Sequence, residues 1–211
     1  MIQRAYAGFI AGLLLIAIGR AEAHPHAWID LVSAPVFNDA GEITGIEQTW
    51  TFDIYYSLFI VEELKAEGGV TQAGLQDVAD ENMMTLEPFR YFNDVRIGSH
   101  SLALGIAEGA VTGIAGERIW MRFTVPLEQP IDPRDDAIRY AIFDPTYFAE
   151  MLHVEGEPIS LAGGAPSGCD TDLIAPEPTP EAVGLVAALD INATAPDNLG
   201  ELFAEWIAVD C

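Results

Sequence analysis

Period-two alternation is the feature that most constrains this chain. In residues 43–53 Ile46, Gln48, Trp50 and Phe52 fall on one face, and in residues 118–125 Ile119, Met121, Phe123 and Val125 alternate with polar neighbours and Trp120. A strand places side chains i and i+2 on the same side, so both stretches read as half-buried strands. Residues 28–37 supply a partner for the first. Asn38-Asp39-Ala40-Gly41 lies between the two runs as a turn signal, which predicts a hairpin. Pro35 in the leading strand points to an edge or a bulge.

Helical spacing then interrupts the strands. Ile54, Leu58 and Val61 share a side of residues 54–66, and Glu67-Gly68-Gly69 breaks the pattern. Thr71 is placed to cap a second helix reaching to about Leu86, with Leu75, Val78, Ala79, Met83 and Leu86 at i, i+3, i+4 spacing; Pro88 ends it. Strands resume at residues 91–97, 101–104, 118–125 and 137–143, followed by a pair at 151–154 and 158–161. The expected class is α+β: a mainly antiparallel, sandwich-like sheet with two helices inserted after the first hairpin.

Residues 163–180 are rich in Gly, Pro, Asp and Thr and read as an irregular connector. Thr179 as cap and Pro180 at the first helical position open a helix. After Pro196 a stripe of Leu199, Leu202, Phe203, Trp206 and Ile207 predicts another. The chain has two cysteines, Cys169 and Cys211, the second being its last residue. Outside the cytoplasm an even pair is most simply a disulfide, which here ties down the helical tail. The expected organisation is residues 1–23 as a removable leader, 24–162 as the α+β core, and 163–211 as connector and C-terminal helices.

The leader rests on Arg4, an apolar run over residues 8–18, and the small-x-small site Ala21-Glu22-Ala23. That is the pattern of a cleavable export signal, and the run is too short to span a bilayer. Cleavage after Ala23 places the mature protein in the periplasm, beginning His24-Pro25-His26, with a free α-amine on His24. Three nitrogen donors then lie within three residues. In an extended segment both imidazoles reach the same side, and amine and imidazole suit Zn, Ni, Co or Cu. Pro25 has no amide hydrogen, which rules out the square-planar copper site that needs the deprotonated amide of residue two. Further ligands, or groups that orient the histidines, are Asp53 at a strand end, Asp144 in the turn Phe143-Asp144-Pro145-Thr146-Tyr147, and His153 beyond it. The alternative for each aspartate is a turn cap. His100 sits in a hairpin and reads as solvent exposed.

The net charge is −24, and losing Arg4, Arg20 and Glu22 with the leader takes it to about −25. Such a field repels phosphate backbones, which excludes nucleic acid as a partner, and it attracts cations. Dense carboxylates also serve solubility. The sequence lacks a Gly-rich phosphate loop, a Gly-x-Ser-x-Gly elbow and a His-Glu-x-x-His helix, so no hydrolase or nucleotide chemistry is expected.

Ala23-His24-Pro25-His26, Trp50-Thr51-Phe52-Asp53 with Tyr56-Ser57, Tyr91-Phe92, and Phe143-Asp144-Pro145-Thr146-Tyr147-Phe148 occur in that order. Over roughly residues 24–161 the chain resembles a bacterial family of periplasmic proteins counted as components of an ABC-type transport system of undefined substrate. Members often accompany nickel/cobalt-type (RcnA-like, NicO) permeases, and some are linked to zinc acquisition. The resemblance implies an inner-membrane metal permease as partner. Many relatives carry an Asp-rich, calcium-loop-like segment between the two helices; here Glu67-Gly68-Gly69-Val70 cannot supply those ligands, and calcium is not carried over.

The expected function is a periplasmic accessory protein, not an enzyme, that binds a divalent transition metal through His24 and His26 and hands it to or from a permease. Two alternatives stand beside it. One is a copper enzyme in which the terminal histidine chelates through amine and ring. The other is an adaptor that contacts a permease without metal.

Overall fold

The computed structural model describes residues 25–135, 137–189, 196 and 198–211. The first hairpin forms as the alternation requires. Strand β1 (Ala27–Phe37) pairs antiparallel with β2 (Ile43–Phe52), joined by a turn in which Asn38 Oδ1 accepts from the Ala40 and Glu42 amides. Helix α1 (Ile54–Ala66) follows β2 directly and α2 (Gln72–Leu86) comes next, capped by Thr71 through the Gly74 amide. Then come β3 (Asn93–Ile97), β4 (His100–Ser101), β5 (Glu108–Ala115), β6 (Arg118–Ile131), β7 (Ile138–Ile142), β8 (Ala149–His153), β9 (Ala162–Gly163) and β10 (Asp170–Ile174). Helix α3 (Pro180–Ala188) and β11 (Trp206–Asp210) complete the chain.

Two sheets result. The first has the order β5-β6-β2-β1-β8, with β9 also on β1; the second has the order β10-β11-β7-β3-β4. All pairings are antiparallel except those of β8 and β9 with β1. The α+β expectation therefore holds. One core joins the sheets: Leu31, Ile46, Trp50, Met121 and Phe123 from the first, and Val95, Ile138, Ile142, Ile207 and Val209 from the second. Trp50 is its anchor, donating from Nε1 to Gln48 Oε1 at 2.8 Å and stacking on Phe92 at 5.9 Å. Ile60, Leu64, Leu75 and Ala79 add the inner faces of α1 and α2. Gln72 and Gln76, one turn apart on α2, donate to the carbonyls of Thr112 and Ala110 and so blunt the edge strand β5.

Several expectations change in detail. The predicted pair at 151–154 and 158–161 does not form. Instead β8 lies parallel to β1, and only Ile159 bridges to Ser33. The connector after residue 163 contains β10. The helix expected after Pro196 is a short 3-10 turn (Leu199–Phe203) followed by β11. Gly200 explains the turn: a Cβ there would come within 1.8 Å of the Asp144 carbonyl oxygen, so the chain is pressed flat against the 144–145 turn. Ala204 is then extended, and β11 finds backbone partners on both sides, in β10 and β7. The spacing of Leu199, Leu202, Phe203 and Trp206 imitates a helix face, yet Ile207 and Val209 alternate inward as a strand.

Arg90, Tyr91 and Phe92 all have positive φ (57°, 53° and 61°). None is glycine, and a left-handed residue costs roughly 1–2 kcal/mol. The turn is held by Asn93, whose Nδ2 donates to the Tyr91 carbonyl at 2.6 Å, and by the stacking of Phe92 on Trp50.

The Cys169–Cys211 disulfide forms, closing a separation of 42 residues beside the β10–β11 ladder. In that ladder Asp170 sits opposite Asp210, a like-charge pair that opposes strand pairing. The covalent bond thus holds the end of the ladder together against that one repulsive pair. Replacing both cysteines by serine should lower stability by up to about 4 kcal/mol in the chain-entropy model, read from urea unfolding. A loss below about 1 kcal/mol would show that strand pairing alone holds the C-terminus.

Candidate functional site at the start of the first strand

His26 lies where β1 begins. Its amide donates to the Phe148 carbonyl at 2.8 Å, and its ring packs on Phe148 at 5.0 Å between centroids. Two residues on, the Trp28 amide donates to Asp53 Oδ2 at 3.1 Å, and the Asp53 amide donates back to the Trp28 carbonyl at 2.9 Å. The backbone carrying this histidine is therefore fixed from both sides. His24, its expected partner, lies outside the described residues.

Asp53 is a helix cap. Its Oδ1 accepts from the Tyr55 and Tyr56 amides at 2.7 and 3.0 Å, while Oδ2 takes Trp28. One carboxylate thereby ends β2, starts α1 and ties down β1. Ser57 continues the joint: buried, it donates to the Asp53 carbonyl and accepts from the Ile119 amide at the head of β6.

Asp144 is buried and shapes the opposite wall. Its Oδ1 accepts from the amide and hydroxyl of Thr146, both at 2.8 Å, and its Oδ2 from the Ala149 amide at 3.0 Å. These bonds fold the turn that presents the Phe148 carbonyl to His26. Tyr147, at φ 57°, stacks on Phe203 and donates its hydroxyl to Glu150 at 2.8 Å. Burial, and then the Glu150 carboxylate, push its phenol pKa up, so it stays a donor.

The structure thus brings His26, Asp53 and Asp144 to one end of the first sheet. It does not bring His153 there. His153 pairs with Leu31, on the order of 16 Å along the strand from the His26 end, at about 3.3 Å per residue. It belongs instead to a buried chain that sequence reasoning missed. Nδ1 of His153 is 2.9 Å from Glu205 Oε2, Nε2 is 2.9 Å from Ser33 Oγ, and Ser33 shares a 2.8 Å bond with the Tyr140 hydroxyl. A carboxylate can only accept, so Nδ1 carries a proton toward Glu205, and Ser33 Oγ bridges Nε2 and the Tyr140 hydroxyl. Burial raises the Tyr140 pKa and keeps its hydroxyl protonated. The order carboxylate, imidazole, hydroxyl is that of a hydrolytic triad, but the Ser33 side chain is buried, 1% exposed, and its hydroxyl is shared with Tyr140. The chain works as a polar bolt joining β1, β8, β7 and the residue before β11.

Among the described residues no group of three or more His, Cys, Asp or Glu side chains is arranged to hold a metal ion. The carboxylates of Asp53 and Asp144 each accept three hydrogen bonds from neighbouring N–H or O–H donors, and through them both aspartates position the backbone that carries the histidine. Around them the surface is aromatic: Trp28, Tyr55, Phe59 and Phe148 are exposed.

The chain belongs to the DUF1007 family, described as a protein of unknown function, whose model matches residues 9–211. An uncharacterised protein of Haemophilus influenzae is 25% identical over 198 residues, covering 90% of this chain and 91% of that protein. An uncharacterised 15.5 kDa protein in the trpE 3' region of Spirochaeta aurantia is 30% identical over 76 residues, 36% of this chain and 54% of that one. No solved structure matches the chain. Among the described residues no helix is long and apolar enough to cross a membrane.

The Asp53→Ala variant should lose roughly 1–2 kcal/mol of stability in chemical denaturation, with Asp53→Asn recovering most of it because one oxygen still accepts. An unchanged midpoint in Asp53→Ala would contradict the cap.

Proposed function

We propose that this member of the family is an exported, periplasmic accessory protein of a transition-metal transport system. It takes up a divalent zinc, nickel or cobalt ion as cargo through His24 and His26 and passes it to or from a membrane permease. The observation that carries the reading is the fixed backbone at His26, held by the Phe148 carbonyl on one side and the Trp28–Asp53 exchange on the other. A histidine on a rigid strand end presents its ring with little ordering cost, whereas the same residue on a loose tail must be ordered by the metal itself. In this reading His24 supplies its imidazole and amine beside His26, while Asp53 and Asp144, each accepting three hydrogen bonds, hold the strand end in place. A site with few protein ligands keeps open positions, which suits transfer better than permanent storage. The net charge of −24 draws cations toward it, and the disulfide suits an oxidising compartment.

A second reading is favoured by the aromatic surface: an adaptor that docks on a permease through Trp28, Tyr55, Phe59 and Phe148 and carries no metal. Isothermal titration of zinc and nickel into the chain beginning at His24, its start verified by mass, separates the two. The metal reading predicts at least tenfold weaker binding for the His24→Ala/His26→Ala variant. Equal affinities would overturn it and leave the adaptor.

A further inference from the structure

The two sheets leave one side of the molecule unclosed. A cleft of about 610 Å3 opens there, between β10 and residues 154–159, the loop that runs on from β8. Ile207 and Val209 of β11 are buried, yet their partners on β10, Leu173 and Thr171, are half-buried and line the cleft. The apolar layer between the sheets therefore runs out at β10 and continues as the cleft. Val154 and Ile159 of the loop add apolar surface to its lining.

The backbone of β10 is open on the same side. This strand ends the second sheet and pairs with β11 alone. The Thr171 amide donates to Asp170 Oδ1 at 2.8 Å and so turns away from β11. Antiparallel bonding alternates along a strand, which points the Leu173 amide and carbonyl away from β11 as well. Among the described residues nothing beyond β10 takes up either group. The other edges are guarded. Gln72 and Gln76 cover β5, Asp144 and Glu205 accept from the Ala149 and His153 amides of β8, and β4 is two residues long. That leaves β10 as the edge on which a further strand can form.

Charge decides what can add there. Glu155, Glu157, Asp170 and Glu205 line the cleft, and no lysine or arginine does. Asp170 also faces Asp210 across the ladder, a repulsion that a neighbouring cation would relieve. A second copy of this chain, pairing edge to edge, would bring the same acidic side chains and is opposed. We propose that the cleft takes an extended segment of a partner protein in which lysine or arginine alternates with apolar residues. The segment pairs its backbone with β10 and sets its apolar side chains against Leu173, Val154 and Ile159. Its cations, on the other face by the period of two, meet Glu155, Glu157 and Asp170. The surface is independent of the metal reading, and it is tested with metal removed.

Fluorescence anisotropy of a labelled Lys-Val-Lys-Val-Lys-Val peptide against the full chain, in chelator and at about 0.15 M salt to screen distant charges, reads the proposal directly. Saturable one-to-one binding is expected. Controls of the same charge are a Gly-Lys-Gly-Lys-Gly-Lys peptide and the parent peptide N-methylated at its valines or, separately, at its lysines. The glycine peptide should bind at least tenfold weaker, and so should one of the two methylated forms, because a strand pairs along one edge. Glu155→Gln/Glu157→Gln should weaken the parent peptide at least fivefold. Glu81→Gln/Glu87→Gln, on and just after α2 at the opposite edge of the first sheet, should leave it unchanged. The proposal is overturned if the parent peptide does not saturate, if the glycine peptide or both methylated forms bind equally well, or if the two glutamate pairs affect binding alike.

Discussion

The carboxylate of Asp53 is the joint on which this molecule turns. It accepts three backbone N–H groups from two elements: two open α1 and one belongs to β1. A first-turn amide has no partner inside its helix, so α1 needs such a group at its start. A strand end likewise needs a partner to keep its register. One side chain meets both needs where β2 becomes α1, and the position of His26 follows from it. Asp144 performs the matching task across the strand. It builds a turn from three hydrogen bonds and so delivers the Phe148 carbonyl to the His26 amide.

This division of labour accounts for the motifs that run through the chain. Trp50 anchors the core, Asp53 caps, Ser57 ties α1 to β6, Phe92 stacks on Trp50, and Asp144 shapes its turn. Of the positions singled out as ligand candidates, both aspartates are scaffold for the histidine, and His153 is a core residue. Its bonds to Glu205 and Ser33, continued to Tyr140, hold the two sheets in one relative position. Such a chain adds little net stability but penalises any slip that breaks it, because each buried group would be stranded.

What the sequence reveals follows from range. β1, β2 and β6 are legible because alternation is a local signal, and the caps at Thr71 and Thr179 sit three residues from the amides they serve. The parallel placement of β8 on β1 leaves no local trace. The strand β11 is hidden because Leu199, Leu202, Phe203 and Trp206 share helical spacing although a glycine pressed on the Asp144 carbonyl breaks the run. The buried bolt joins residues more than a hundred positions apart, Ser33 to Tyr140 and to His153. One hint was local: Gln48 lies on the apolar face of β2, where a polar side chain signals a buried partner, and it proves to hold Trp50. The left-handed run at residues 90–92 has no glycine or asparagine to announce it.

The account makes His26 a rigid donor supported by carboxylates that do not themselves need to touch the ion. X-ray absorption spectroscopy of the zinc-loaded chain beginning at His24 tests that claim most directly. The account predicts a shell of nitrogen and oxygen near 2.0 Å with imidazole scattering from two histidines, which loses one imidazole in His26→Ala. A spectrum without imidazole scattering, or one left unchanged in His26→Ala, would contradict it.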